Sequence, residues 1–222
     1  MKITKYDLIL SAISGVLFPI AFTIPYAGII SWFLLVPFLM AIEDKSPWNA
    51  FRLGLLTGTI ANAVGFYWLI GTIHRFGGFP YPVSLIFQIL LSMYSGLSFA
   101  IFAYVTTKLG LFRKPGLLSA LLIAAVWTSI EFLFPFLFPY GITNSQADYI
   151  PLMQIYELFG MYSLSFLIAL VNVTIMRFLK RFREKSPMPS LEILTSLVLV
   201  VLTIAYGFWK MDAVSKKISE AP

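Results

Sequence analysis

Polar residues in this chain come in short clusters separated by long apolar runs. Leu8 to Ile42 carry no charge over 35 positions. A single helix of that length would reach roughly 50 Å, against a hydrocarbon core of about 30 Å. Pro25, Tyr26 and Gly28 supply turn chemistry in the middle of the run. The run therefore predicts two helices, near 7–23 and 27–43. A third is predicted near 51–71, between Arg52 and His74, followed by a glycine- and proline-rich turn from Phe76 to Pro82. A fourth, near 83–106, ends at Lys108, and Arg113-Lys114-Pro115 precede a fifth near 117–134. Pro135 to Glu157 reads as a long irregular stretch, because Thr143-Asn144-Ser145-Gln146-Ala147-Asp148 is too polar to be a span. A sixth helix is expected near 158–177. The basic run from Arg177 to Lys185, with Pro187 and Pro189, separates it from a seventh near 191–209. The expected architecture is an all-α integral membrane bundle of about seven transmembrane helices. It forms one domain over residues 1–210, with a short polar tail over 211–222.

Composition agrees with the pattern. Charged residues make up 12% of the chain, about half the share of a soluble domain. The net charge of +6 does not imply nucleic acid, because the basic residues sit in short segments between spans. Placing the amino terminus in the cytoplasm puts twelve Lys and Arg on the inner side. Arg75, Lys210, Lys216 and Lys217 remain on the outer side, a positive-inside distribution. Seven crossings then leave the carboxyl terminus extracytoplasmic.

Candidate chemistry is sparse. With no cysteine and one histidine, His74, thiolate chemistry and a metal cluster are not expected. No cofactor is implied. Ala50, Gly54 and Gly58 recur at four-residue spacing, which suits close helix packing in a bilayer. Glu131 interrupts the fifth apolar run, with Trp127 one turn earlier on the same face. An intramembrane carboxylate faces either a partner helix or a substrate. Arg75 has two readings as well, as an arginine snorkelling to head groups or as a ligand for a lipid phosphate. A Ser-His-Asp triad drawing on Ser145 and His74 stays open, since spacing carries no geometry.

Several strings resemble apolipoprotein N-acyltransferases. Gly65-Phe66-Tyr67-Trp68-Leu69 followed by His74-Arg75-Phe76-Gly77-Gly78-Phe79-Pro80 is similar to that family's third span and the loop after it. Trp127 and Glu131, then Phe138-Pro139-Tyr140, Asn144-Ser145-Gln146 and Gly160 to Leu167, resemble later family segments in the same order. The resemblance implies a multi-pass protein of the bacterial plasma (inner) membrane. It also implies two partners, a phospholipid acyl donor and a lipidated lipoprotein precursor. Trp68, His74, Arg75, Gly77, Gly78, Trp127, Glu131 and Gln146 become the candidate substrate-binding residues. The family's catalytic cysteine, glutamate and lysine belong to a nitrilase-like domain, and no catalytic residue transfers to this chain. The expectation is a membrane module that is inactive alone, its catalytic domain encoded separately or lost. A non-catalytic lipid-binding module and a small transporter are the alternatives.

Overall fold

The computed structural model describes residues 2–114, 116–184 and 188–219, with the side chains of Arg183 and Glu184 left out. Pro115, Lys185, Pro187 and Pro222 lie outside the described residues, as does the side chain of Arg183. Every regular element is helical, and no strand occurs among the described residues.

Helix α1 (Lys5–Thr23) starts at a capping box. The Asp7 amide donates to Thr4 Oγ1 (3.3 Å), and the Thr4 amide donates to Asp7 Oδ2 (2.7 Å), so two orphan donors are satisfied at once. The chain then turns at Tyr26, the only non-glycine with a left-handed backbone (φ 61°) among the described residues. Asp148 accepts from the Tyr26 amide (2.7 Å), and the Tyr149 hydroxyl donates to the Tyr26 carbonyl (2.6 Å).

The second expected helix is broken. A 3₁₀ segment (Ala27–Trp32) and a short α2 (Val36–Ile42) meet at Phe33–Leu35. A break in an apolar environment requires partners for the freed backbone groups, and buried side chains supply them. Ser14 Oγ donates to the Leu34 carbonyl (2.6 Å) and accepts from the Phe38 amide (2.9 Å). Asn172 accepts from the Leu35 amide and donates to the Ser31 carbonyl, both at 2.8 Å.

The third expected helix is also two. Helix α3 (Pro47–Gly65) bends by 62° into α4 (Leu69–Gly77). Gln88 of the next helix donates to the Ala63 carbonyl (3.1 Å), meeting one of the orphan acceptors at the end of α3. Gly78, with φ 69°, closes α4 as a left-handed cap. The expected Phe76–Pro82 turn therefore shrinks, and α5 (Tyr81–Lys108) begins at its end. The Ala50-Gly54-Gly58 stripe packs as expected. A Cβ on Gly58 would lie 2.6 Å from the Gly96 Cα of α5, and one on Gly96 would lie 2.8 Å from the Thr59 amide nitrogen. The two backbones touch, and only glycine fits.

Helix α6 (Leu117–Leu133) leads into the polar loop. That loop is more ordered than its composition suggests, holding a 3₁₀ turn (Ile142–Gln146), α7 (Ile150–Met153) and α8 (Tyr156–Phe159). Gly160, at φ 72°, separates α8 from α9 (Tyr162–Glu184). Helix α10 (Ser190–Ser219) runs past Lys210, so the expected polar tail begins as helix. A Lys216–Asp212 pair one turn apart (2.7 Å) spans that extension.

Among the described residues, four helices are long and apolar enough to cross a membrane: α1, α5, the Tyr162–Phe182 part of α9, and α10. The bent α3–α4 pair makes a fifth if it is one span, and Ala27–Ile42 and Leu117–Leu133 are shorter apolar stretches. The core lies where α1, α2, α3, α5, α6 and α9 meet, around Phe38, Phe102, Leu34, Ile123 and Ile168. Ion pairs gather one end of the bundle. Asp7–Lys45 (2.8 Å) ties α1 to the α2–α3 turn, Glu43–Lys180 (2.7 Å) ties that turn to α9, and Arg177–Glu192 (2.9 Å) ties α9 to α10. The loops after α1, α3 and α6 meet at the opposite end.

Candidate functional site

At that opposite end, Trp127 and Glu131 stand one turn apart near the end of α6. Trp127 is wedged edge-on between Phe99 and Phe102 of α5, with ring centroids 5.2 and 5.1 Å away. One oxygen of Glu131, Oε1, accepts from the Ile142 amide (2.7 Å) at the start of the 3₁₀ turn. The other, Oε2, is buried together with Trp127 Nε1 and Ser165 Oγ of α9: the indole and the hydroxyl both interact with the carboxyl, although none of the three atoms makes a fully formed hydrogen bond. Gly141 explains how the carboxyl and the hydroxyl come close. A Cβ there would lie 3.2 Å from Glu131 Oε2 and 3.5 Å from Ser165 Oγ, so glycine leaves the space between them open.

Trp127 and Glu131 face a cavity that Phe18, Phe99, Phe136 and Tyr140 also line. Tyr140 closes one side and donates to Asn62 Oδ1 of α3 (2.8 Å). Burial pushes the Tyr140 phenol up from its ordinary range; the Asn62 hydrogen bond opposes the shift and the Glu131 charge adds to it. The phenol therefore stays protonated and keeps its role as a donor. Asn62 is itself fixed by donating to the Gly58 carbonyl (2.7 Å), so the cavity wall is referenced to the tight α3–α5 contact. From Tyr140 a ladder of rings leads outward through Phe66 and Phe138 to Trp68, with successive centroids 5.7 to 6.3 Å apart. Trp68 is half exposed.

The remaining candidates lie elsewhere. Gln146 is fully buried, and its amide is used within the fold. It donates to the Gly28 carbonyl (2.7 Å) and to Ser145 Oγ (2.9 Å), and accepts from Trp32 Nε1 (3.1 Å). This latch holds the 3₁₀ turn against the Ala27–Trp32 segment. His74 Nδ1 lies 2.7 Å from the Phe79 carbonyl, and its ring stacks on Tyr81 at 4.0 Å. Because a carbonyl only accepts, Nδ1 carries the proton. Arg75 is exposed, without a hydrogen bond or ion pair among the described residues, and Phe76 beside it is 87% exposed. Gly77 and Gly78 form the end of α4 and its cap. No hydrogen bond or ring contact among the described residues joins this α4 group to Glu131.

The triad reading is corrected. Ser145 Oγ bonds to Ser31 Oγ and to the Ile142 carbonyl (2.7 Å), while His74 is engaged with Phe79. Spacing in sequence carried no information about either partner. Tyr140, Gly141 and Ser165 are site residues that pattern reading passed over. Phe138-Pro139-Tyr140 and the Gly160–Leu167 string contained two of them, but nothing local distinguished these from packing residues.

The fold and this buried polar cluster define an all-helical protein built for a bilayer, with polar capacity concentrated at one end. Residues 14–174 match the family model described as the apolipoprotein N-acyltransferase N-terminal domain. The chain is 34% identical over 215 residues to an apolipoprotein N-acyltransferase of Geobacter metallireducens, covering 94% of this chain and 41% of that protein. It is 26% identical to one from Bdellovibrio bacteriovorus, covering 97% of this chain and 40% of the relative. For a Thermotoga maritima relative the identity is 27%, covering 79% and 36%. This chain belongs to the apolipoprotein N-acyltransferase family and matches its N-terminal domain. It spans about two-fifths of the length of these relatives.

Proposed function

We propose that this chain is the membrane module of a lipoprotein N-acyltransferase, recruiting a phospholipid acyl donor and a lipidated lipoprotein precursor for a nitrilase-like domain. In this reading all seven apolar stretches cross the bacterial plasma membrane. The amino terminus is cytoplasmic, and the end bearing Glu131 and Arg75 faces outward. Acyl transfer through a thioester needs a cysteine nucleophile, and this chain has none, so the module supplies binding and orientation. The observation that carries the reading is the buried polar cluster of Trp127, Glu131 and Ser165, two of its members lining a cavity, in a chain of this family. A carboxyl buried within an apolar helix run is costly and faces a partner or a substrate. The half-exposed Trp68 and the free Arg75 suit the same task at a head-group interface.

The test uses the chain in liposomes with a photoactivatable phospholipid and a diacylated lipopeptide. Cross-links are expected to concentrate on α4 and on the loop after α6, and to weaken in Glu131→Gln and Arg75→Ala. Cross-links spread evenly around the bundle, or indifferent to both substitutions, would overturn the reading. Acyl transfer by the purified chain alone would overturn the assignment of chemistry to another domain.

A further inference from the structure

The ion-paired end of the bundle contains a second constellation. Arg113 and Lys114, in the turn before α6, are exposed, and neither side chain has a hydrogen bond or ion pair among the described residues. They line an open recess of about 550 Å³ together with Arg177, Lys180 and Glu192. Arg177 is held in place, donating to Glu192 Oε1 (2.9 Å), to the Gly116 carbonyl (2.8 Å) and to Ser119 Oγ. Lys180 is paired with Glu43. With those charges balanced, Arg113 and Lys114 leave the recess net positive and open to an anion.

An apolar groove of about 430 Å³ begins where the recess ends. On α9 its first wall residue, Phe178, follows Arg177; on α10, Ile193 follows Glu192. The groove continues between the two helices along Ile175 and Val171 on one side and Leu197 and Val200 on the other. That is about two helical turns, roughly 10 Å. Thr174 and Ser196 line it as well, but their hydroxyls bond each other (2.9 Å), so neither offers a free polar group. Both volumes fall within the range of small-molecule sites.

We infer that this recess and groove together bind one anionic phospholipid, with its phosphate at Arg113 and Lys114 and an acyl chain between α9 and α10. A soluble phosphate would leave the groove unused, and a zwitterionic lipid would bring an ammonium group toward two unpaired cations. The phosphate recess lies at the opposite end of the bundle from Glu131, and neither it nor the groove shares a lining residue with the Glu131 cavity, so the inference does not depend on that proposal.

The test releases the chain from bilayer nanodiscs of equal phosphatidylglycerol and phosphatidylcholine content and weighs it by native mass spectrometry. One phosphatidylglycerol should be retained at least tenfold in preference to phosphatidylcholine. R113Q/K114Q should abolish the preference, and both positions are exposed, so the fold survives the change. Leu197→Trp, at a surface position on the groove wall, should lower retention of either lipid. Glycerol phosphate should fail to displace the bound lipid. Equal retention of both lipids by the unmodified chain, or a preference that survives R113Q/K114Q, would overturn the proposal. Displacement by glycerol phosphate would remove the groove from it.

Discussion

The two ends of the bundle treat buried polarity in opposite ways. At the basic end, Asp7, Lys45, Glu43, Glu192 and Arg177 are buried or nearly so, and each faces an opposite charge within 2.9 Å. Each pair joins segments distant in sequence, so the charges act as ties. At the other end, Trp127 Nε1, Glu131 Oε2 and Ser165 Oγ are buried together without a fully formed hydrogen bond, and the helix break at Phe66–Trp68 lies beside the polar loop after α6. (A fourth such atom, Ser11 Oγ, sits within α1.) Each unmade hydrogen bond costs about 1–3 kcal/mol. In the proposed reading, a fold that pairs its charges at one end and leaves these groups incompletely bonded at the other separates holding from binding. Local violations of packing rules of this kind gather at functional sites.

Substitutions can break or sharpen this contrast. The largest effect is expected at the basic end. Lys45→Ala leaves Asp7 buried without its cation and should cost about 3–5 kcal/mol, read as a lowered unfolding midpoint in detergent with lipid cross-linking intact in the protein that remains folded. A mild effect there would mean the pair is not a tie. Next is Gly141→Val, whose side chain must displace the Glu131 carboxyl and the Ser165 hydroxyl. About 1–3 kcal/mol of strain should accompany loss of most phospholipid cross-linking at the α6 loop. Glu131→Gln is milder for stability, because the amide oxygen can still accept from Ile142. A change under about 1 kcal/mol with a several-fold drop in cross-linking would sharpen the contrast, while strong destabilisation would make Glu131 another tie. Smallest is Arg75→Ala, expected within about 0.5 kcal/mol of the parent and visible only as weaker lipid capture.

Much of the fold was legible because membrane helices announce themselves by continuous apolar length. Six of the seven expected helix centres fall in helical stretches, the second instead falling in the Phe33–Leu35 break, and the Ala50-Gly54-Gly58 stripe became the α3–α5 contact. The breaks were only partly legible. Pro37, in the first turn of α2, is a local sign of the first, since it lacks an N–H and its ring excludes the Phe33 carbonyl; the break persists because Ser14 and Asn172, far away in sequence, take up the backbone groups it frees. The candidate site was legible by halves. Trp127 and Glu131 stood out as polar groups in an apolar run and proved to face a cavity. Gln146 stood out equally and proved to be bonded on all sides within the fold.

Sequence by itself determined that this chain is helical, apolar and of the apolipoprotein N-acyltransferase family, because span length and charge placement are one-dimensional properties and 34% identity runs along nearly the whole chain. Only the tertiary structure decided which polar groups are consumed and which remain available. A hydrogen bond is a relation between atoms such as Gln146 Nε2 and the Gly28 carbonyl, 118 residues apart, and no local pattern encodes that distance. The same holds for Gly141, whose missing side chain matters only because Glu131 and Ser165 arrive from two other helices.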